Sequence, residues 1–376
     1  MRTPIFIRSF LFVLAMALTS AAHAAPPVYK VLDLGTLGGA TSNGAGINGS
    51  GQATGYSSTG GVGSQGFLYS GGVMTGLGTL GGTSSWGSGI NASGQVTGTS
   101  STAGDAAYRA FLYSGGVMAS LGTLGGLSSF GNAINASGEV TGYSHVTGNA
   151  FLRAFLYSGG VMTDLGALGG DYSTGTAIND SGAVAGYASL AGNTETHAFL
   201  YAGGAMSDLG TLGGSLSYGT GINAAGEVTG YSGTSGFNTH AFLYSGGVMN
   251  DLGTLGGSAS LGYAVNASGQ VTGHSKTAQD AAQHAFLYDD QLGMLDLNSL
   301  LEASYSQYVF TDARGINDDG WIVGTGFNPA GQLHALLAYT VEPDPAVATP
   351  EPATLALMAS GALGAAMWRR RGLRRS

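Results

Sequence analysis

Residues 174–214 contain one complete copy of the pattern that decides the fold: TGTAIN-DSG-AVAGYAS at 174–189 and HAFLYAGGAMSDLG-TLGG at 197–214. Its four short segments are apolar or alternate between apolar and polar residues, and Gly, Asn, Asp or Ser separates each from the next. Such segments are typical of β-strands joined by tight turns. The copy therefore predicts four strands within about 44 residues.

The same pattern recurs along most of the chain. A Phe-Leu-Tyr run follows each copy of an Ile/Val-Asn-x-x-Gly motif, and Ala335-Leu336-Leu337 takes its place in the last copy. A fixed period of about 44 residues indicates a repeat architecture. We therefore expect seven units, the last of them lengthened, because Ile/Val-Asn-x-x-Gly occurs seven times, with its Asn at Asn48, Asn91, Asn135, Asn179, Asn223, Asn266 and Asn317.

Seven units of four antiparallel strands predict an all-β fold, a seven-bladed β-propeller. The two ends of the repeated region are complementary. Tyr29–Gly35 (YKVLDLG) resembles the fourth strand of a unit, while the last unit stops after its third strand, HALLAYT at 334–340. We expect the N-terminal strand to complete the last blade and close the ring. A β-solenoid is the alternative architecture.

Composition excludes several classes of function. The chain has no Cys, which rules out disulfides and thiolate sites. Residues 25–349 contain five basic and 20 acidic residues, a formal charge of about −15, and this acidity argues against a nucleic-acid partner. No GxGxxG opens a helix and no P-loop is present, so we predict no cofactor. We also predict no metal site and no catalytic residues.

Residues 1–24 have the three parts of a secretory signal peptide. Arg2 and Arg8 flank the start, an apolar run follows, and Ala22 and Ala24 supply a small-x-small cleavage site. We therefore expect the chain to be exported. Its repeat domain is expected over 25–340, followed by a linker at 341–349.

The C-terminal tail, 350–376, combines Pro350-Glu351-Pro352, an apolar segment at 353–368 and an Arg cluster that begins with Arg369, Arg370 and Arg371. This order resembles the PEP-CTERM sorting signal of Gram-negative bacteria. The resemblance implies export across the inner membrane and transient anchoring by a short transmembrane helix. It further implies recognition by an exosortase and delivery to the cell surface or the medium, in systems that accompany exopolysaccharide and biofilm production. An ordinary single-span anchor is the alternative.

The repeats themselves, with HAFLY, Asn-x-x-Gly and LGTLGG, resemble the HAF family of extracellular bacterial repeats over about residues 29–340. The first copy departs from that pattern, with Gln65-Gly66 in place of His-Ala, and so does the seventh. The resemblance implies an extracellular repeat protein and no particular activity.

Sequence divergence among the copies is confined to one predicted face. The Asn-x-x-Gly and Ser-Gly-Gly turns are nearly uniform, whereas the loops between second and third strands and the crossings between blades vary. Aromatic rings beside Ser, Thr and Asn suit sugar rings. Drift in exposed loops is the alternative explanation. The candidate ligand face carries Trp86, Phe130, Tyr172 and Tyr218.

These observations favour a non-enzymatic surface protein that binds or organises exopolysaccharide or another cell-surface component, with the membrane contacted only by the unprocessed tail. One alternative is a propeller-type glycan hydrolase or lyase. Its carboxylates would come from the variable loops, where Asp105, Asp171, Glu195 and Asp280 occur. A purely structural surface spacer is the other alternative.

Overall fold

The computed structural model describes residues 25–236 and 238–340. The predicted signal peptide, linker and tail, with Ala22, Ala24, Pro350–Pro352 and Arg369–Arg371, lie outside these residues. Within them, no helix is long and apolar enough to cross a membrane. The helical segments described are short 3₁₀ turns at Ala103–Asp105, Thr147–Asn149, Ala278–Asp280, Leu297–Leu300 and Ala303–Tyr305.

The predicted all-β class is confirmed, and every repeat forms a four-stranded antiparallel sheet. The chain begins with β1, Tyr29–Asp33. Repeat 1 contains β2 Gly38–Ile47, β3 Ala53–Thr59, β4 Ser64–Ser70 and β5 Val73–Gly76. Repeat 2 contains β6 Gly81–Ile90, β7 Val96–Thr102, β8 Tyr108–Ser114 and β9 Val117–Ser120. Repeat 3 contains β10 Gly125–Ile134, β11 Val140–Val146, β12 Leu152–Ser158 and β13 Val161–Asp164.

The later repeats follow the same plan. Repeat 4 contains β14 Gly169–Ile178, β15 Val184–Leu190, β16 Thr196–Ala202 and β17 Ala205–Asp208. Repeat 5 contains β18 Gly213–Ile222, β19 Val228–Thr234, β20 Thr239–Ser245 and β21 Val248–Asp251. Repeat 6 contains β22 Gly256–Val265, β23 Val271–Thr277, β24 Gln283–Asp289 and β25 Gly293–Asp296. Repeat 7 contains β26 Val309–Ile316, β27 Ile322–Phe327 and β28 Leu333–Thr340.

The first strand of the chain pairs with the last one. β1 lies antiparallel to β28, from Tyr29 opposite Thr340 to Asp33 opposite Leu336, and so supplies the fourth strand of repeat 7. The side chain of Tyr29 is 2% exposed and lies in an apolar cluster with Phe310 and Leu336. Pairing and burial therefore join the two ends of the described chain.

The strands form where the sequence places turn residues between apolar segments. In repeat 1 the amide of Gly51 donates to the carbonyl of Asn48, and Gly51 has a φ of +72°. Gly suits this left-handed conformation because it has no Cβ. The turn fixes the register of β2 and β3, and the corresponding turns of the other repeats have the same hydrogen bond.

The core lies between consecutive repeats. The Phe of each FLY run is fully buried, and in repeat 3 Phe155 clusters with Ala110 and Leu121 of repeat 2 and with Val140 of its own repeat. Phe67 of repeat 1 lies in the same way against Val323 and Leu337 of repeat 7. Each sheet therefore buries its apolar side chains mainly against the preceding sheet.

The repeated Asn does more than begin a turn. Its side-chain Nδ2 donates to the backbone carbonyl of the equivalent Asn in the next repeat, for example from Asn48 to Asn91 at 2.9 Å. The same bond occurs at each later step, and Asn317 donates to the carbonyl of Asn48 at 3.1 Å. One buried residue thus shapes a turn and also links neighbouring repeats.

Replacing one of these residues, Asn91→Ala, is expected to lower the free energy of unfolding by about 2–4 kcal/mol. Asn91 is 4% exposed, accepts from the amides of Ser93 and Gln95, and donates to the Gln95 side chain and the Asn135 carbonyl. Its removal takes a donor from the buried Asn135 carbonyl and an acceptor from the amides of Ser93 and Gln95. Urea denaturation measures the change, with Asn250→Ala in an exposed strand as the control. Equal losses in both variants would contradict the linking role.

Candidate functional site

Residues of the first and second strands of the repeats line a cavity of about 570 Å³. Asn43 is the sixth of the ten residues of β2 and Tyr56 is the middle residue of β3, so the cavity lies about midway along these strands. Its lining is aromatic and hydroxylic. It includes Trp86, Tyr143, Tyr187, Tyr231, Tyr263, Asn132, Thr174, Thr176, Thr220, Thr325 and Arg314.

A narrower cavity of about 270 Å³ continues towards the uniform Asn turns. First strands from all seven repeats line it, from Ala45–Ile47 in repeat 1 to Arg314–Ile316 in repeat 7. The two cavities share seven lining residues, one from the first strand of each repeat, so they adjoin each other.

Two of the four predicted ligand-face residues, Trp86 and Phe130, belong to one row of rings. Trp86 lies 6.0 Å from Tyr108, Tyr108 lies 5.8 Å from Phe130, and Phe130 stacks on Tyr143 at 4.6 Å between ring centroids. These distances are in the range of aromatic contacts. Trp86 and Tyr143 line the cavity, whereas Tyr108 does not line it and is 39% exposed. We call these four residues the first aromatic row.

The other two predicted residues, Tyr172 and Tyr218, belong to a second aromatic row with Tyr187 and Tyr231. The centroid distances along it are 5.8 Å, 4.8 Å and 4.9 Å in the order Tyr172, Tyr187, Tyr218, Tyr231. The hydroxyls of Tyr172 and Tyr187 lie 3.3 Å apart, and Thr174 donates to the Tyr172 oxygen at 2.8 Å. Tyr187 and Tyr231 line the cavity. Tyr172 and Tyr218 do not line it and pack against these two rings.

The sequence interpretation missed the tyrosines of the second strands. Tyr56, Tyr143, Tyr187 and Tyr231 all follow the Gly of a Thr-Gly-Tyr or Ala-Gly-Tyr triplet, a segment that sequence reasoning treated only as part of a blade. The signal that marks them is the exchange of residue type at one repeat position, where Thr99, His274 and Thr325 replace Tyr in the other repeats. Positions that only build the sheet, such as the preceding Gly, do not vary.

One corner of the cavity is polar and charged. The guanidinium of Arg314 lies 4.4 Å from the centroid of the Tyr263 ring, and the Tyr263 hydroxyl lies 2.9 Å from Nδ1 of His274. Arg314 Nε is 3.5 Å from Asp312 Oδ2. Burial raises the pKa of Asp312, whose Oδ1 is buried and has no hydrogen-bond partner within the described residues. Burial also raises the pKa of Tyr263, to about 12.

The same corner predicts a pH dependence of stability. Burial, with help from Arg314 and Lys276, lowers the pKa of His274 from 6.5 to about 4. Between these values the unfolded chain binds more protons than the folded one, so stability rises with pH. His274 is neutral in the folded and the unfolded chain above pH 6.5 and costs no stability there. As the pH falls to 4 the unfolded chain binds the proton more readily, which lowers the stability of the fold by ~3 kcal/mol.

Urea denaturation between pH 7.5 and pH 4 measures this effect. The wild-type chain is expected to lose more stability on acidification than a His274→Gln variant, because glutamine does not titrate. Parallel pH profiles for the two chains would contradict the assignment.

Histidines at one repeat position have a structural partner. Nδ1 of His197, His240 and His284 lies 2.7–2.9 Å from a carboxylate oxygen of Asp208, Asp251 and Asp296 respectively, on the adjacent fourth strand. In repeat 7 the partner of His334 is Asp33 of β1, at 2.8 Å. Asp33 therefore joins the two ends of the chain through a side chain as well as through the β1–β28 pairing.

Of the four carboxylates of the enzymatic alternative, Asp105 lies in repeat 2, Asp171 and Glu195 lie in repeat 4, and Asp280 lies in repeat 6. Asp105 accepts from the amide of Thr83, and hydrogen bonds from the Ser101 hydroxyl and that amide lower its pKa. Asp280 accepts from the amide and hydroxyl of Ser258, which lower its pKa likewise. Asp171 accepts from the Asn193 amide group, and Glu195 lies 3.9 Å from His197. Three of these four side chains hold loop backbone or a neighbouring loop side chain in place.

Comparison with known proteins identifies one end of the chain. Residues 348–371 match the model of the PEP-CTERM protein-sorting motif. The tail is a PEP-CTERM signal. A protein with this signal is exported and sorted to the cell surface by an exosortase. Residues 169–335 match the model of a protein family of unknown function, DUF3466. No curated protein matches the chain.

Solved structures show the fold class. The β-propeller domain of the Trilobed protease from Pyrococcus furiosus, described as having an open velcro topology, is 8% identical with a TM-score of 0.52, over 81% of this chain and 99% of that one. TolB from Acinetobacter baumannii is 14% identical with a TM-score of 0.42, over 65% of this chain and 63% of that one. XC5397 from Xanthomonas campestris, a gluconolactonase, is 12% identical with a TM-score of 0.38, over 74% of this chain and 90% of that one. The first of these supports a fold of the β-propeller type.

Proposed function

We propose that the exported chain is a non-enzymatic surface protein whose body is a closed seven-bladed β-propeller that binds extracellular polysaccharide of the biofilm matrix. The sugar chain enters the central cavity at the variable face. The apolar segment of the PEP-CTERM tail anchors the protein in the inner membrane until exosortase processes the tail. The body then stands at the cell surface or in the matrix, where polysaccharide is the abundant polymer.

The observation that carries this proposal is the composition of the cavity wall. Trp86, Tyr143, Tyr187 and Tyr231 present half-buried rings, on which the apolar faces of sugars pack. Thr and Asn side chains between them supply donors and acceptors for sugar hydroxyls. An aromatic wall with a few polar groups is the usual composition of a small-molecule site.

Closure of the body is supported by three separate features. β1 pairs with β28, Asn317 donates to Asn48, and Phe67 packs against Val323 across the junction of repeats 7 and 1. A closed ring also accounts for the cavity, because its wall takes one or more residues from every repeat. A solenoid would leave the first and last repeats apart.

The experiment that tests the proposal is cosedimentation of the exported protein with exopolysaccharide from its own host, with release of reducing sugar measured in the same samples. Binding without release is the expected result. Release of reducing sugar would make the chain a glycan-cleaving enzyme. If the protein neither binds nor cleaves the polysaccharide, the body is a spacer and the proposed function is wrong.

A further inference from the structure

Arg314 is the feature of the cavity that binding to a neutral sugar does not explain. Among the described residues that line the cavity it is the one charged side chain. Residues 25–349 contain 20 acidic and only five basic residues, so a cation at the centre of an acidic protein is unexpected by composition. Local charge at a concave site selects the ligand charge more strongly than net charge does.

Arg314 also breaks the repeat pattern. It occupies the first-strand position that Ala45, Ser88, Asn132, Thr176, Thr220 and Tyr263 occupy in repeats 1 to 6, all of them uncharged. The position faces the same cavity in every repeat. The seven positions therefore form a ring in which a single member is charged, and this asymmetry gives the cavity one electrostatically distinct side.

The guanidinium of Arg314 is held in place but only loosely paired. Tyr263 supports it from one side at 4.4 Å, which fixes the plane of the guanidinium by a cation–π contact. Its carboxylate neighbour Asp312 is 3.5 Å from both Nε and Nη2, beyond the usual 2.7–2.9 Å of a charged hydrogen bond. The side chain of Arg314 is 47% exposed and lines the cavity, so a ligand can reach it.

We infer that the cavity binds an acidic polysaccharide and that Arg314 pairs with a carboxylate of its sugars. This inference rests on the proposed function and names its ligand class. A planar carboxylate can accept from two parallel N–H donors of a guanidinium, whereas a neutral hydroxymethyl group lacks this geometry and this charge. The aromatic rings then pack against the sugar faces, while Arg314 pairs with the carboxylate.

Asp312 sets how strongly Arg314 attracts an anion. Burial raises the pKa of Asp312, and the neighbouring Arg314 and Thr325 oppose that rise. At 3.5 Å from Nε and Nη2, the Asp312 carboxylate competes with a ligand carboxylate for the guanidinium. Replacing it with the neutral Asn removes the competition while keeping the shape of the side chain.

The test compares one polymer in two charge states. Host exopolysaccharide is used as isolated and after chemical reduction of its carboxyl groups to hydroxymethyl groups, and binding of the exported protein to each is measured by titration calorimetry. We expect the native polymer to bind about tenfold more tightly than the reduced one, the effect of one charged hydrogen-bonded pair. Arg314→Gln is expected to bind both polymers as weakly as the wild type binds the reduced one.

Two further variants make the result specific to this side chain. Asp312→Asn is expected to bind the native polymer more tightly, whereas Lys30→Gln, which removes a positive charge on the outer strand β1, should leave the ratio unchanged. If wild type and Arg314→Gln bind both polymers equally, the charge inference is wrong and the proposed function stands. If neither polymer binds to any chain, the proposed function fails and the inference with it.

Discussion

A chain that begins at Leu34, and so lacks β1, is expected to lose about 5 kcal/mol or more of folding free energy. β1 buries Tyr29 and Val31, which are 2% and 5% exposed, and a fully buried side chain of this size contributes about 1.5–3 kcal/mol. Its absence also exposes Leu336 and Ala338 on β28 and removes the Asp33 partner of His334. A fold of this size has a total stability of about 5–15 kcal/mol, so the loss is a large part of it.

Urea denaturation of the two chains measures this loss. A chain that begins at Pro27 keeps the whole strand and is the matched control. The shortened chain is expected to unfold at a much lower urea concentration and to show an unpaired β28 edge by faster amide hydrogen exchange. Equal midpoints would contradict a stabilising role of the β1–β28 pairing.

Gly55→Ala adds a single methyl group and is expected to lower the free energy of unfolding by about 3 kcal/mol or more. A Cβ at this position would lie 1.9 Å from the carbonyl oxygen of Asn43 and 3.0 Å from the ring of Phe67. Both neighbours are fixed, the first by the β2–β3 pairing and the second by full burial. The six equivalent glycines meet a carbonyl of the adjacent strand at the same distance or within about 0.1 Å of it.

Gly49→Ala in the same repeat is the control, since a Cβ there meets nothing within 4 Å. Its effect on the urea midpoint is expected to stay within about ±0.5 kcal/mol. A mild effect of Gly55→Ala, similar to that of the control, would show that β2 and β3 separate easily, contrary to the packing described above.

Strand order and turns were predictable from the sequence because both depend on local chemistry that recurs with a fixed period. Asn48 and Gly51 mark a turn through their own backbone preferences, and the YKVLDLG segment at Tyr29 resembles a fourth strand by simple comparison with the other repeats. Neither inference needed knowledge of distant contacts. This explains why the pairing of β1 with β28 was predicted correctly.

The contacts between repeats were not predictable in the same way. The sequence indicates a turn at Asn48 but not that its Nδ2 reaches the carbonyl of Asn91, because that bond depends on the stacking of two sheets. The bond from His197 to Asp208 had a usable signal, since an Asp occupies the fourth strand in every repeat that has the His. The pairing was missed because the His and Asp positions were each compared between repeats and not with each other.

The candidate site was located in part. Trp86 was selected as an aromatic next to a variable crossing and does line the cavity, whereas Phe130 lies one ring behind Tyr143. Tyr143 was missed because its strand looked uniform. Arg314 lies three residues before Asn317, as Ala45 does before Asn48, but it was missed because the sequence does not show that this position faces a cavity.

The most direct test of polysaccharide binding in the central cavity is calorimetric titration of host exopolysaccharide into the wild-type protein and a Tyr143→Ala, Tyr231→Ala double variant. The control is Phe327→Ala, which removes an aromatic ring that is 44% exposed and lies outside the cavity lining. We expect affinity to fall about 5- to 160-fold in the double variant, which corresponds to about 1–3 kcal/mol for the rings lost, and to be unchanged in the control. Equal affinity in all three folded proteins would contradict binding in the cavity.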